Sequence, residues 1–510
     1  MPTPTPEPER DCSPLPAEDL HLYHTEFGYS VHKGLPLAPE DLDLQIFHTS
    51  LAETSVAISQ AIYECAHEVG LAFAEDAAAI VALVSRDIQG PLLLVGPSFD
   101  TALMGELERL APEHIVAAGF DAPMLHDALA DFSFEQVIVD QQAPFPPEEL
   151  SNDRVWLVGD VQQVVPLAAL GRQIGVGVFA APGDLRALAP EVRQAISSAS
   201  RVELLSEFDD EAVWQLEVVR RGAELPGGGL LLFERGLSDW RRSWPVDQGG
   251  GLFLFDLGLS RRLVAMYGHP SGPGLGVLGE QGPEEGLDRL RSIAEGYDAD
   301  GSAVLPTFEI IATVASAGPG KDGDYSAETA RDVIRPWVEF AAANDIYVVL
   351  DLQPGRTDYL SQAKIYEEFL RLPHVGLALD PEWRLKPDEV HLRQIGTVDA
   401  AEINRVVEWL AGVVREEALP QKLLILHQFR LQMITNRHLV ETPAELAVVV
   451  HMDGQGPLSA KFNTWRVLTS QPDADQFYWG WKNFYDEDMP TATAEQVLGV
   501  APTPVFVSFQ

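Results

Sequence analysis

Several short stretches in the second half of the chain end in groups that can do acid, base or ligand chemistry. They are TFE at 307–309, VLDLQ at 349–353, GLALDPE at 376–382, LILH at 424–427, VVVHMD at 448–453 and YWGWKN at 478–483, with YGH at 267–269 before them. Taken singly, each residue has a plain structural use. An aspartate after a strand caps the next helix, and a lone histidine is a hydrogen-bonded core residue. Taken together, acids, histidines and tryptophans after one apolar run after another suggest a shared site. Buried carboxylates cost several kcal/mol unless they are paired or solvated in a cleft. Carboxylates beside indoles suit sugars: one carboxyl protonates the glycosidic oxygen, another acts as base, nucleophile or charge stabiliser, and indoles stack on pyranose faces. The catalytic candidates are Glu382, Asp380, Asp351 and Asp453. The substrate-binding candidates are His269, Glu309, Gln353, His427, His451, Trp481, Lys482 and Asn483.

Such a rim needs elements to hold it. Strands are predicted at 261–269, 303–314, 346–353, 375–382, 422–429, 446–453, 476–484 and 504–509, with helices at 284–297, 326–344, 359–372, 400–417, 433–445, 460–470 and 491–499. About eight βα units in about 250 residues is the rhythm of a (β/α)8 TIM-type barrel, whose active sites lie at the C-terminal ends of the strands. Alternate strand residues fill such a barrel. One parity of the fourth strand reads Gly376, Ala378, Asp380, then Glu382: small residues in the pore and carboxylates at its mouth. The third strand gives Asp351 and Gln353, the fifth His427, the sixth His451 and Asp453. On the seventh, Trp479, Trp481 and Asn483 share one parity and Lys482 has the other. Trp481 is expected at the mouth as a sugar platform. Trp383 is expected to pack outside the pore or brace the loop.

The first half alternates short apolar strands with helical stretches, including PLLLVG at 91–96, HIVAAG at 114–119 and RVWLVGD at 154–160. That pattern predicts parallel sheets covered on both faces. The expected domains are a Pro-rich tether and leader over 1–45, an α/β domain over 46–240 and a barrel over 255–510. The boundary falls in the turn-rich 234–251 stretch.

AETSVAISQAIYE at 52–64, AEDAAAIVALVSRDIQGPLLLVG and LERLAPEHIVAAG resemble the cell-wall-binding repeat 2 domains of bacterial surface proteins. GF stands where that family has a double glycine. The resemblance implies Rossmann-like repeats and a location at the cell surface. GLALDPEW resembles the fourth-strand motif of chitinase-type glycoside hydrolases, with Gly376, Asp380 and Glu382 in place and Ala378 where the family has its first Asp. By that resemblance Glu382 is the acid and Asp380 its partner. The stretches VLDLQPGRTD, LHQFRLQMIT and WGWKNFYDED also resemble an uncharacterised domain joined to wall-binding repeats in actinobacterial secreted proteins and lipoproteins.

The expected function is therefore a cell-envelope glycan-active protein, with a glycoside hydrolase favoured and cell-wall polysaccharide as partner. A non-catalytic glycan-binding scaffold stays open, as Ala378 suggests. A metal hydrolase of the amidohydrolase type is a further alternative, with His427 and His451 on its fifth and sixth strands. YGHP on the first strand and VFVSFQ on the last lack two of its expected ligands, so no metal and no cofactor are expected. Composition narrows the rest. With 35 basic and 77 acidic residues the net charge is −42, which repels nucleic acid. Of the two cysteines, Cys12 and Cys65, no CxxC can be made. They either form one disulfide in an exported protein or leave Cys65 as a buried helix residue. No apolar run is long enough to span a membrane. The Pro/Thr/Glu-rich start fits either a protein held off a cell surface, extracellular with lipid anchoring before trimming as one option, or a plain disordered tail.

Overall fold

Apolar strands flanked by amphipathic helices have one compact way to bury both strand faces: helices outside, packed side chains inside. The second half of the chain takes it. In the computed structural model, which describes residues 11–18, 20–25, 28–33, 50–86, 88–140, 153–205, 208, 211–221, 252–255 and 261–510, eight parallel strands close into a barrel. In order they are Arg261–Gly268, Ala303–Ala315, Tyr347–Leu352, Val375–Leu379, Lys422–His427, Leu446–Met452, Tyr478–Asn483 and Phe506–Phe509, and the first pairs with both the second and the last.

Inside the barrel, Leu263, Ala265, Leu305, Val349, Ala378, Leu423, Ile425, Ala447, Val449 and Phe506 form one apolar cluster. Leu254 and Phe255 join it, and the Leu254 amide donates to Gln421 Oε1 at 3.2 Å. Gly376 belongs to the same interior. A Cβ there would lie 2.7 Å from the Leu423 carbonyl oxygen, so a glycine lets the strands close. The other strand faces carry Phe308, Val348, Leu350, Leu377, Leu424 and Val450 against the helices. Helix Arg331–Ala343 shows the matching stripe, Ile334, Trp337, Val338 and Ala341, and Trp337 meets Phe308 edge-on at 5.0 Å. Helix Ala400–Glu417 is capped by Asp399, which accepts from the Ala401 amide.

Two departures from the expected pattern shape the mouth. The second strand continues past the wall, through an irregularity between Ile311 and Thr313, and pairs antiparallel with Ser326–Glu328. The helix expected at 433–445 is absent. In its place are the short turns Leu431–Met433 and Arg437–Leu439 and the two-residue strand Ile434–Thr435. Asn436 sits in the left-handed region at φ 56°, which interrupts any helix. The Arg437 guanidinium then fixes the segment, with 2.9 and 2.7 Å bonds to Asp473 and one of 2.8 Å to Gln428.

The chain divides into two compact units, Met1–Val213 and Trp214–Gln510. The expected 234–251 boundary lies outside the described residues. The first unit is α/β, with a four-stranded parallel sheet ordered Leu92–Val95, Glu68–Phe73, His114–Ala118, Phe134–Val137 and a three-stranded parallel sheet ordered Gly177–Ala180, Arg154–Val158, Arg201–Leu205. Aspartates cap two of its helices: Asp76 accepts from the Ala79 amide and Asp100 from the Leu103 amide. Part of the expected leader is folded. Leu20–Thr25 and Gly28–Lys33 form an antiparallel hairpin whose Leu20, Leu22 and Tyr29 enter the core of this unit. Cys12 and Cys65 are joined in a disulfide, and Cys65 lies beyond the end of helix Leu51–Ile62. Among the described residues no helix is long and apolar enough to cross a membrane.

Candidate functional site at the barrel mouth

Register does most of the assembly. Tyr267 lies level with Glu309 on the first two strands, His427 with His451 on the fifth and sixth, and Lys482 with Ser508 on the last two. All six are inward-facing and sit above the apolar interior, because alternate positions below them on the same strands fill the pore.

His427 stands at the centre, fully buried. Its Nδ1 is 3.0 Å from Asp453 Oδ2. Its Nε2 is 3.2 Å from Glu309 Oε1 and 3.6 Å from Asp351 Oδ1. Asp351 Oδ2 accepts from the Tyr267 hydroxyl at 2.9 Å. Gln353 braces that phenol: its Nε2 donates to the same oxygen at 3.1 Å while its Oε1 accepts the Ala315 amide. The Lys482 ammonium lies over the Tyr267 ring, 3.5 Å from its centroid, a cation–π contact. His451 approaches Ser508 Oγ with Nε2 at 2.8 Å.

The electrostatics follow from burial plus neighbours. Burial alone pushes the His427 imidazolium down, but the Asp453, Glu309 and Asp351 carboxylates outweigh it and hold its pKa well above the ordinary range. His451 goes the other way. Burial holds its pKa well below the ordinary value, and the His427 and Lys482 cations add to that. Asp351 is pushed up to about 6, chiefly by burial, against the pull of His427. Asp380 is pushed well above the carboxylate range by burial, with the Asp351, Asp453 and Glu382 charges adding.

Strand parity places Asp380 inward, just past the end of the fourth strand. One of its oxygens also caps the following turn, accepting from the Glu382 amide at 3.2 Å. Glu382 therefore owes its position to the turn Pro381–Trp383 rather than to the strand. It is half-buried, and its pKa is pushed up to about 7 by burial first and by the Asp453 charge second. Trp383, on the same turn, packs edge-on against His391 at 5.3 Å, and Tyr325 meets the same ring at 6.3 Å.

The structure thus brings Glu309, Asp351, Gln353, Asp380, Glu382, His427, His451, Asp453 and Lys482 to one end of the barrel. His269 is held at the edge, with Nε2 2.8 Å from Thr329 Oγ1 and Nδ1 2.7 Å from Ser271 Oγ. Trp481 and Asn483 do not reach the mouth. On the seventh strand Gly480 and Lys482 face inward, so Trp481 faces outward, fully buried against Phe462 and Trp465. Its indole N–H donates to Asn483 Oδ1 at 3.0 Å. The sugar-platform role expected of Trp481 is therefore excluded by its position. Ser508 escaped the sequence reading, although its alternation with Phe506 on the last strand marks it as inward.

Among the described residues, two groups of side chains could hold a cation. Glu309, His427 and His451 each offer a ligand atom within 4.8 Å of the others, and so do Asp322, Asp324 and Glu328 on the loop above the second strand. Compared with known proteins, the chain matches no family model, and no curated protein matches it significantly.

Proposed function

We propose that the barrel is a hydrolase of cell-envelope glycans in which Glu382 is the general acid. One observation carries this reading. Glu382 is a partly open carboxyl at the mouth, and its pKa of about 7 keeps a proton available near neutrality. Below it, burial holds Asp380 well above the ordinary carboxylate range and pushes Asp351 up to about 6. Groups whose environments separate their protonation states in this way are what acid–base cleavage needs. Glu382 would deliver its proton to the departing glycosidic oxygen. Asp453, bonded to His427, is the carboxylate available to stabilise positive charge at the sugar or to activate water. With Trp481 in the wall, the aromatic platform passes to Trp383 and Tyr325 around His391.

The first unit is assigned in the same proposal to Rossmann-like wall-binding repeats, on its parallel α/β sheets and the sequence resemblance. The Cys12–Cys65 disulfide supports an exported location, since such bonds persist in oxidising compartments. The test is glycan cleavage. Purified protein should release reducing ends from cell-wall polysaccharide, and Glu382→Gln should abolish release while folding and glycan binding persist. Binding without turnover in the unmodified chain would instead favour a glycan-binding scaffold, the reading that Ala378 in the fourth-strand motif supports.

A further inference from the structure

Beneath Glu382 lies a group of side chains to which acid–base cleavage assigns no proton-transfer step. We propose that Glu309, His427 and His451 form a site for one first-row divalent transition metal, with zinc the best match. This inference stands independently of the glycan reading.

Glu309, His427 and His451 are fully buried. Both carboxylate oxygens of Glu309, Nε2 of His427, Nδ1 of His451 and Oδ1 of neighbouring Asp351 lack a well-aligned hydrogen bond, although His427 Nε2 stands 3.2 Å from Glu309 Oε1 and 3.6 Å from Asp351 Oδ1. A buried polar atom without a well-aligned partner is costly. Buried polar groups are otherwise almost always satisfied, so orphans concentrated in one place point to an absent ion or ligand.

In each histidine the other ring nitrogen is occupied: His427 Nδ1 by Asp453 Oδ2 at 3.0 Å, His451 Nε2 by Ser508 Oγ at 2.8 Å. Metal-binding imidazoles are held in this way, one nitrogen fixed by a neighbouring oxygen so that the other presents its lone pair. Gly480 permits the arrangement. A Cβ there would stand 2.5 Å from His451 Nδ1.

Two imidazoles and a carboxylate suit zinc, and the same set also suits iron, cobalt or manganese. The ligand atoms lie within 4.8 Å of one another. Zinc ligands at about 2.0–2.2 Å in a tetrahedron lie roughly 3.4 Å apart, so rotations of about an ångström complete the site. Asp351 Oδ1, 3.6 Å from His427 Nε2, is placed to become a fourth ligand. The set differs from the amidohydrolase pattern, because the carboxylate comes from the second strand. Asp322, Asp324 and Glu328 carry no such argument. They include no histidine, and Asp324 already accepts from the Ser326 amide and Thr357 Oγ1.

The rival account is that a protonated His427 pairs with Glu309 and Asp351 and that no metal enters. Metal binding by the full chain separates the two. Chelator-stripped protein should bind one Zn2+ per chain in a titration calorimeter. Glu309→Gln and His451→Gln should each weaken binding at least tenfold, while Asp322→Asn/Glu328→Gln leaves it unchanged. No Zn2+ binding by the stripped native chain, or equal binding by both core variants, would overturn the site. Should a core variant fail to fold, the Co2+-loaded native chain decides. Intense visible bands of four- or five-coordinate, nitrogen-ligated cobalt support the site, and a weak hexa-aqua-like spectrum overturns it. Neither readout depends on glycan turnover.

Discussion

Asp453 Oδ2 lies 3.0 Å from His427 Nδ1, and this contact decides which way the central imidazole of the barrel presents itself. With Nδ1–H donated to Asp453, Nε2 faces Glu309 and Asp351. Asp453→Asn keeps an acceptor for that N–H but removes the charge. Groups that orient a site histidine are typically worth 10–100-fold. Turnover of wall glycan should therefore fall by roughly that factor, with the melting temperature little changed. Undiminished turnover would mean that neither the Asp453 charge nor the orientation of His427 matters to the reaction.

The protonation state of Glu382 sets the second prediction. A general acid works in its protonated form, and this carboxyl is held up to about 7. The rate of glycan release should therefore decline as pH rises through about 7, tenfold per unit at the limit. In Glu382→Gln that limb should vanish together with most of the activity. A rate flat from pH 5 to 9 in the unmodified protein would remove Glu382 from the acid role.

Much of this site was legible in the sequence because parallel strands keep strict alternation. Asp351, Asp380, His427 and His451 each follow apolar residues of the same parity, and each faces inward. The reading failed on the seventh strand because Trp481 looked like a sugar platform, and its chemistry was allowed to outweigh the pattern. Gly480 followed by Lys482 repeats the small-then-polar order of Ala378 and Asp380, and that order marks the inner face. The 433–445 helix failed for a different reason. Its register is held by Arg437 reaching Asp473 and Gln428, contacts with no signature in local periodicity. The hairpin over Leu20–Lys33 was hidden by the proline-rich stretch before it, although Leu20, Leu22 and Tyr29 supply its buried face.

Trp481 now has a structural prediction in place of a functional one. Its ring packs 5.5 Å from Phe462 and 5.6 Å from Trp465, with the Lys461 ammonium 5.4 Å from its centroid. Trp481→Phe should lower stability by about 1–3 kcal/mol and leave glycan affinity unchanged. Trp383→Ala should do the reverse, weakening glycan affinity at little stability cost. Denaturant melts paired with glycan titrations would separate the two indoles, and equal affinity losses would contradict the assignment.

The Cys12–Cys65 bridge closes a loop across 53 positions of sequence. Chain entropy in the unfolded state gives such a bridge about 4 kcal/mol. Cys12→Ser/Cys65→Ser should lower the melting temperature of the first unit by several degrees. Far-ultraviolet melts of the reduced and oxidised forms would measure the difference, and coincident curves would show that the bridge is thermodynamically idle.

Glu382 also ties the stability of the barrel to pH, with a sign opposite to ordinary acid denaturation. Its folded pKa is about 7, against an ordinary value of 4.5. Between those values the native chain holds more protons at this site than the unfolded chain does, so stability falls as pH rises. Below about 4.5 both states are protonated and the carboxyl costs nothing. Above about 7 the native state carries the full burden of a half-buried charge facing Asp453, on the order of 1–3 kcal/mol. Glu382→Gln cannot ionise, so its barrel should be more stable than the native one at pH 8 by about that amount and equal to it near pH 4. Urea melts of both proteins across that range would read the crossing directly. A variant less stable at pH 8 would show that the Glu382 charge is stabilised at the mouth, which would also deny it a proton to give.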